Sequence, residues 1–270
     1  MVIENAPERI GVIGAGVMGE ALIAALISSG IAPSSITITE KRDSRAAELM
    51  DKYQVKSAGL KENVEVAQVL LFVVKPQDMP ATLQEVSQWI SNSTLVISFA
   101  AGKRIDFLAS ILGSEIPIIR VMPNTPALVG EGMHAISTGL GVSLSQLNFV
   151  RDFLSASGQV VEVEESLQDA VTAVSGSGPA YFFAFIEAMV SAGVELGLSQ
   201  DVATQLSVQT MVGAAKLLAT SGKTAQTLRE NVTSPNGTTA AALAAFSSAD
   251  LTGIVSKAMT AARDRSRELA

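Results

Sequence analysis

The chain has 270 residues, enough for one large domain or two of ordinary size, and 48% of them are hydrophobic, so it can bury a sizeable core. Its formal net charge of -7 disfavours nucleic acid or an anionic membrane as the main partner. The absence of cysteine excludes disulfides, thiolate nucleophiles and cysteine-bound metals, and a single histidine, His134, cannot build a His-rich metal site. We therefore expect no metal and no chemical role for His134.

Two segments bear on where the protein works. The N-terminal MVIENAPER lacks the order of basic and then apolar residues that signal peptides have. The most apolar later stretch, AYFFAFIEAMVSAGVELGL, contains Glu187 and Glu195, which disfavours a membrane span. We predict a cytoplasmic protein with no membrane partner.

Short strands and helices alternate along the first part of the chain, which predicts a parallel sheet covered on both faces. We predict a Rossmann-type doubly wound α/β domain over residues 1–164. The apolar or β-branched runs predict strands at Ile10–Ile13, Ile36–Thr39, Val69–Val74, Leu95–Ser98, Ile118–Met122, Met133–Ser137 and Val160–Val163. Between them, helices are predicted at Met18–Ser28, Ser44–Tyr53, Met79–Ile90 and Ile105–Leu112.

After about Glu165 the predicted strands stop, and only helices follow. The helix that opens at Gly178 is apolar almost all round, which is typical of a helix covered from several sides. We predict an all-α C-terminal dimerisation domain over residues 165–270 and a homodimer that this half holds together; the alternative is a self-contained bundle. The predicted helices are Gly178–Leu196, Asp201–Ala219, Ala225–Asn231, Thr238–Phe246 and Leu251–Leu269.

A glycine-rich turn, GAGVMG, follows the first predicted strand and opens the first helix. In this context the Gly-x-Gly-x-x-Gly spacing favours a dinucleotide site, because the glycines allow a tight turn and a close approach of the pyrophosphate to free N–H groups. The alternative is a structural turn without a ligand. The predicted cofactor contacts are Gly14, Ala15, Gly16, Val17, Met18 and Gly19.

The end of the second strand bears on the choice of cofactor. An acidic residue there favours NAD by binding the adenosine ribose, and a basic residue favours the extra phosphate of NADP. The sequence has Glu40 followed by Lys41 and Arg42. We predict NADPH, with Lys41 and Arg42 at the phosphate and NADH as the alternative cofactor.

Further loops leave the carboxyl ends of later strands, where open parallel sheets bind ligands. We predict cofactor contacts at Val74, Lys75 and Pro76 after the third strand and at Ala101 after the fourth. The structural alternatives are a strand ended by proline and a close-packed turn.

Six motifs carry a resemblance to the pyrroline-5-carboxylate reductase family, and they occur in family order from Ile10 to about Phe246. The resemblance implies a Rossmann domain, a helical dimerisation domain with swapped helices and, frequently, a decamer of five dimers. It also implies that NADPH, or NADH, reduces a cyclic imine to L-proline in the last step of proline biosynthesis. The motifs are GAGVMG, VVKPQ, AAG, MPNTPALVGEGM, SGSGPAYFF and NVTSPNGTT.

The segment SPNGTT also predicts a carboxylate site from its residues alone. If Pro235 lies in the first turn of a helix, the N–H groups of Asn236 through Thr239 lack intrahelical partners and attract an anion. By resemblance, Asn231 touches both cofactor and substrate, and Thr239 is the catalytic residue that binds the ring nitrogen and could relay its proton. The substrate-binding set implied by the family is Glu165, Asn231, Ser234, Gly237, Thr238 and Thr239.

Each of these residues has a structural alternative. Asn231 could simply end a helix, Glu165 could be a surface carboxylate, and Thr239 could be an ordinary first-turn threonine. Two positions depart from the family pattern: Asn236 replaces a frequent glycine but tolerates left-handed backbone angles, and Glu40 replaces a small polar residue. The rival functions are a β-hydroxyacid dehydrogenase and a non-enzymatic dinucleotide-binding regulator.

Overall fold

The structure is a computed structural model that describes residues 6–269. Its strands are β1 Ile10–Ile13, β2 Ile36–Thr39, β3 Lys56–Ser57, β4 Val69–Phe72, β5 Leu95–Ser98, β6 Ile118–Met122, β7 Gly132–Thr138 and β8 Gly158–Glu162. Its helices are α1 Val17–Ser28, α2 Asp43–Tyr53, α3 Leu60–Val66, α4 Met79–Val86, α5 Ile105–Leu112, α6 Leu144–Ser155, α7 Gln168–Val171, α8 Gly178–Glu195, α9 Gln200–Thr220, α10 Ala225–Asn231, α11 Thr238–Ser248 and α12 Leu251–Glu268.

The strands form one eight-stranded sheet in the order β3-β2-β1-β4-β5-β6-β7-β8. The first six strands are parallel, which confirms the predicted Rossmann-type arrangement. The prediction of a wholly parallel sheet is wrong for the last two strands, because β7 runs antiparallel to β6 and β8 runs parallel to β7. Residues 123–131 between β6 and β7 contain only a short 3-10 turn, and a parallel crossover needs a longer connection.

Helices cover both faces of this sheet, so β1, β4 and β5 are buried along their whole length. One face packs on α1 and α6 through side chains such as Leu22 and Phe153. The other face packs on α4 and α5 through Leu83 and Leu108. Burial from both sides explains why these strands are continuous apolar runs rather than alternating ones.

Four of these strands and helices were not predicted: β3, α3, α6 and the four-residue helix α7. For α6 a local signal exists, since Ser143 and Gln146 form a capping box in which each side chain accepts from the other residue's backbone N–H. The short strand β3 and the seven-residue helix α3 carry no such signal. Two predicted ends were too long, because β4 stops at Phe72 and α4 at Val86.

The chain divides into two compact units, which are described separately. The first runs to Ser177 and includes the end of the chain from Ala262, and the second is Gly178–Ala261. The second unit is helical throughout, as predicted. The boundary between residues 164 and 165 that the sequence suggests marks the end of the last strand region and stays a prediction.

Helix α8 exposes a row of large apolar side chains within this chain. Phe182 is 62% and Phe183 57% exposed, and Phe185 contacts Phe246 of α11 with 6.1 Å between ring centroids. By length and hydropathy alone, the continuous helical stretch Glu165–Glu195 would suffice to cross a membrane, with a mean hydropathy of 1.2. A helix that a partner subunit covers has the same composition.

Candidate active site

The first unit brings all the predicted contacts of the Rossmann half to one edge of the sheet. This edge holds the carboxyl ends of the parallel strands, where the chain passes from β1 outward to β2 on one side and β4 on the other. Such a switch point is where open α/β sheets bind dinucleotides. The residues gathered there are Gly14, Ala15, Gly16, Val17, Met18 and Gly19 after β1, Lys41 and Arg42 after β2, Val74, Lys75 and Pro76 after β4, and Ala101 after β5.

The three glycines of the first turn have different environments. Gly14 has a φ of 89°, and a Cβ there would lie 3.0 Å from the backbone of Val73. A Cβ on Gly19 would lie 2.5 Å from the Gly14 carbonyl oxygen, so this glycine lets helix and strand pack closely. A Cβ on Gly16 would meet no protein atom within 4 Å. The turn therefore packs closely at Gly14 and Gly19 and leaves space at Gly16, where a pyrophosphate would approach. This arrangement fits the predicted cofactor.

The N–H groups of this turn are only partly available. Helix α1 begins at Val17 and has no side-chain cap, so the amides of Val17, Met18 and Gly19 lack intrahelical acceptors and can donate to an anion. The Ala15 amide differs, because it donates to Glu40 Oε2 at 3.1 Å. The interaction of Ala15 with Glu40 joins the end of β2 to the phosphate-binding turn.

Glu40 is held on both carboxylate oxygens. Oε1 accepts from the backbone N–H of Arg42 at 3.2 Å and from its Nε at 3.0 Å, and the Glu40 side chain is 9% exposed. Hydrogen bonds from Arg42 and Ala15 outweigh the cost of desolvation and lower the pKa of Glu40, so it is ionised at neutral pH. Lys41 is exposed.

The loops after β4 and β5 differ in how far they are exposed to solvent. Lys75 is exposed at the end of β4, whereas Ala101 is half-buried after β5. The next residue, Gly102, has a φ of 77°, and a Cβ there would lie 2.7 Å from Leu269 Cβ and 2.9 Å from the Ser266 carbonyl oxygen. The Ala-Ala-Gly turn thus has a packing role against the end of the chain, which was one of its two predicted interpretations.

Glu165 is not a free surface carboxylate. Its Oε1 accepts from the Ile105 amide at 2.7 Å, at the N-terminus of α5, and from Arg120 Nη1 at 3.3 Å. Arg120 lies on β6 and is only 2% exposed, and this burial lowers the pKa of its guanidinium. Among residues 6–269, the second oxygen of Glu165 makes no hydrogen bond to the protein. Glu165 therefore fastens α5 to β6 and retains one open acceptor.

Sequence reasoning missed a polar cluster beside Glu165. Buried Asp169 accepts from Ser266 Oγ at 2.7 Å and lies 3.9 Å from the side chains of Arg104 and Arg267. The cluster joins the two lengths of chain that make up the first unit, across 97 residues of sequence. No local pattern reports so distant a contact.

Asn124 joins three further segments of the first unit. Its amide nitrogen donates to Ser175 Oγ at 3.2 Å and to the Ser175 carbonyl oxygen at 3.3 Å, and its oxygen accepts from the Met133 amide at 2.9 Å. Ser175 belongs to a π-helical turn, Thr172–Gly176, directly before α8. The motifs MPNTP and SGSG are therefore in contact, with Asn124 as the link between them.

The second unit holds the SPNGTT segment. Helix α11 begins at Thr238 with Gly237 as its N-cap, so Pro235 lies in the preceding turn and not in the first helical turn as predicted. The Gly237 amide donates to the Ser234 carbonyl oxygen at 3.0 Å, which removes it from the predicted carboxylate cradle. Asn236 has a φ of 59°, which confirms that asparagine supports the left-handed turn.

The N-terminus of α11 differs from those of its neighbours. The first turns of α9, α10 and α12 receive side-chain caps from Ser199, Thr224 and Asp250, respectively. Within the described residues, α11 has no side-chain cap, and the amides of Thr238 and Thr239 have no backbone acceptor. An uncapped helix N-terminus is a ready anion site.

The remaining predicted residues lie around this N-terminus or just before it. Asn231 is the last residue of α10 and is exposed, as are Ser234 and Thr238, whereas Thr239 is half-buried. Both interpretations of Asn231 are therefore compatible with its position. The predicted set is split, since Glu165 lies in the first unit and the other substrate residues lie in the second.

His134 is a buried structural residue. It is 0% exposed on β7, its Nε2 lies 3.0 Å from Ser157 Oγ, and desolvation lowers its pKa to about 4. The imidazole is therefore neutral at physiological pH and packs in the sheet.

Comparison with known proteins gives matches to family models in both parts of the chain and to relatives over nearly its whole length. Residues 165–269 match the family model for pyrroline-5-carboxylate reductase dimerisation, and residues 9–102 match the model for NADP oxidoreductase, coenzyme F420-dependent. A pyrroline-5-carboxylate reductase of Corynebacterium melassecola is 40% identical over 264 residues, covering 96% of this chain and 98% of that protein.

Solved structures agree with the sequence comparisons. The pyrroline-5-carboxylate reductase of Coxiella burnetii superposes with a TM-score of 0.90 at 33% identity, covering 97% of this chain and 98% of that one. The pyrroline carboxylate reductase of Plasmodium falciparum, solved with NADP bound, gives a TM-score of 0.87 at 30% identity and covers 99% of both chains.

Proposed function

The chain belongs to the pyrroline-5-carboxylate reductase family, and we propose that it reduces 1-pyrroline-5-carboxylate to L-proline, the last step of proline biosynthesis. In this reaction one hydride from NAD(P)H would add to the imine carbon and one proton would end on the ring nitrogen, so that imine, NAD(P)H and H⁺ would give proline and NAD(P)⁺. The protein supplies binding, orientation and a dry site for this transfer.

The uncapped N-terminus of α11 is the observation that carries the proposal. The substrate is a small carboxylate, and the amides of Thr238 and Thr239 are the donors it needs. The hydroxyls of Ser234 and Thr238 are exposed beside them. The helix dipole adds partial positive charge at the same point, so an acidic protein binds an anion without a lysine or an arginine.

The first unit provides the cofactor site. When bound, the nicotinamide cofactor supplies the hydride, and the amides of Val17, Met18 and Gly19 hold its pyrophosphate. Val74, Lys75, Pro76 and Ala101 line the same edge of the sheet, on the β4 and β5 side of the switch point.

We assign the catalytic role to Thr239. Its hydroxyl both donates and accepts, so it can hold the ring nitrogen and pass a proton to it. Asn231, eight positions earlier in the chain at the end of α10, is proposed to touch both cofactor and substrate. Glu165 remains a proposed substrate contact through its second carboxylate oxygen, which accepts no hydrogen bond from residues 6–269.

The assembly is proposed from the same features. The exposed phenylalanines of α8 lie within the residues that match the dimerisation model, which supports a homodimer with a covered α8. That cover also accounts for the hydropathy of α8 without a membrane. We further propose a cytoplasmic enzyme and, as its largest assembly, a decamer of five dimers.

The two rival functions are disfavoured. A β-hydroxyacid dehydrogenase needs a general base, typically a lysine on the long interdomain helix, but α8 contains none and Lys216 is exposed on α9. A dinucleotide-binding regulator would need no anion site at α11.

The decisive experiment measures oxidation of NADH and NADPH with and without pyrroline-5-carboxylate. We expect substrate-dependent oxidation and one proline per cofactor oxidised; no substrate-dependent oxidation with either cofactor would overturn the proposal.

Thr239→Ala tests the catalytic assignment. Because a positioned proton donor typically contributes a factor of 10² to 10⁴, we expect kcat/KM to fall by about 10²-fold. Thr252→Ala is the matched control, since Thr252 is also the second residue of a helix in this unit and should leave kcat/KM unchanged. Equal kinetics of the Thr239 variant and wild type, with the dimer intact, would remove Thr239 from the mechanism.

A further inference from the structure

The end of β2 contains a carboxylate whose position bears on the choice between NADH and NADPH. Glu40 lies 21 residues after Gly19, at the carboxyl end of the strand beside β1. In dinucleotide-binding units an acidic residue at this place accepts a hydrogen bond from the adenosine ribose. The sequence alone leaves its role open, because Lys41 and Arg42 follow it directly.

The geometry decides between the two signals. Glu40 is turned inward, with Oε2 accepting from the Ala15 amide inside the phosphate-binding turn and only 9% of the side chain exposed. The carboxylate thus lies against the segment that holds the pyrophosphate, where the adjoining ribose must sit. Oε2 accepts one hydrogen bond, from Ala15, and so has a further lone pair for a hydroxyl donor, whereas both lone pairs of Oε1 are used by Arg42.

Arg42 does not supply an unpaired cation at this place. Its Nε and its backbone N–H both donate to Glu40, so the carboxylate balances part of its charge. Of the neighbouring basic residues, Arg45 is likewise engaged, by Glu20 and Glu48. Lys41 is the remaining cation of the segment, and it is a flexible, exposed side chain.

We propose that Glu40 is the specificity residue of the cofactor site: it accepts from the ribose 2′-hydroxyl and repels a 2′-phosphate, so this chain binds NADH more tightly than NADPH. The proposal refines the proposed reductase function by naming the cofactor that the same site prefers. Its physical basis is the repulsion between an ionised carboxylate and a phosphate of about two negative charges, at a distance too short for salt to screen.

The test measures binding without substrate, so it does not depend on the reaction. NADH and NADPH are titrated by calorimetry into wild type, Glu40→Gln and Glu40→Ser. We expect wild type to bind NADH more tightly, and each variant to shift the ratio of the two dissociation constants at least 10-fold toward NADPH. Glu40→Gln keeps an acceptor for the Ala15 amide, and thermal melting verifies that both variants fold.

Glu62→Gln is the matched control, because it removes one negative charge from an exposed position on α3 and should leave the ratio unchanged. Tighter binding of NADPH by wild type, or variants with an unchanged ratio, would overturn the assignment of Glu40. Failure of substrate reduction with intact cofactor binding would instead refute the proposed reaction and leave the assignment standing.

Discussion

Replacing Gly237 by aspartate should make the protein more stable and a worse enzyme at the same time. Gly237 is the N-cap of α11 with φ -81° and ψ 173°, which is the extended backbone an N-cap side chain needs. The atoms nearest to the new Cβ would be the Ser234 hydroxyl oxygen, which can rotate away, and the Ser234 carbonyl oxygen at 3.1 Å, which must shift by a few tenths of an ångström. The aspartate carboxylate would then accept from the amides of α11, where we place the substrate carboxylate.

The two effects have different magnitudes. An aspartate cap improves on glycine by a few tenths of a kcal/mol, and its charge at the helix dipole adds 0.3–1, so the free energy of unfolding should rise by about 1 kcal/mol. The substrate would lose two hydrogen bonds to its carboxylate, at no less than about 1.5 kcal/mol each. A loss of about 3 kcal/mol corresponds to a rise of about 10²-fold in KM.

The assay combines thermal or urea unfolding with steady-state kinetics over a range of substrate concentrations. Gly237→Asn is the matched variant, because it caps the helix with a neutral group and should raise KM less than Gly237→Asp. If Gly237→Asp raised stability while KM stayed at the wild-type value, the amides of α11 would be capped without displacing substrate, and the carboxylate site would lie elsewhere.

Two further predictions follow from buried and exposed groups. Because the pKa of His134 falls from 6.5 to about 4 on folding, the free energy of unfolding should be highest above pH 6.5 and should fall by about 3 kcal/mol as the pH is lowered toward 4. His134→Gln should therefore flatten the dependence of the unfolding free energy on pH in this window, and an unchanged slope would contradict the assignment. Phe183→Glu should break the homodimer, which light scattering would detect as a halved mass in solution. The control Leu140→Glu changes an apolar residue of the first unit that is 91% exposed, and it should leave the mass unchanged. If the Phe183 variant stayed dimeric, the interface would not include this side of α8.

The parts of the fold that the sequence predicts are those with strong local signals. The buried strands of the parallel sheet read as apolar runs, and the turn from Gly14 to Gly19 carries its own spacing. The reversal at β7 was missed because the direction of a strand depends on the connection before it and not on the apolar pattern of the strand itself. Helix α6 was missed although the capping-box residues Ser143 and Gln146 indicate its start.

In the candidate site, the sequence likewise fails to predict individual hydrogen bonds. The sequence predicts free amides from Asn236 to Thr239, but whether Gly237 is free depends on its hydrogen bond to Ser234, which only the turn geometry shows. Likewise, the sequence alone does not say which atoms the carboxylates of Glu40 and Glu165 bind.

The return of the last turns of α12 to the first unit has a practical consequence for dissecting the protein. The second unit is an insertion, entered after Ser177 and left at Ala262, and the first unit is made of two separate lengths of chain. A fragment ending at Ser177 would leave the face of Gly102 uncovered and Asp169 without Ser266. A Rossmann half that folds by itself would require the C-terminal segment to be joined to Ser177 by a short linker. A truncation of the last residues would perturb the edge of the sheet that binds the cofactor.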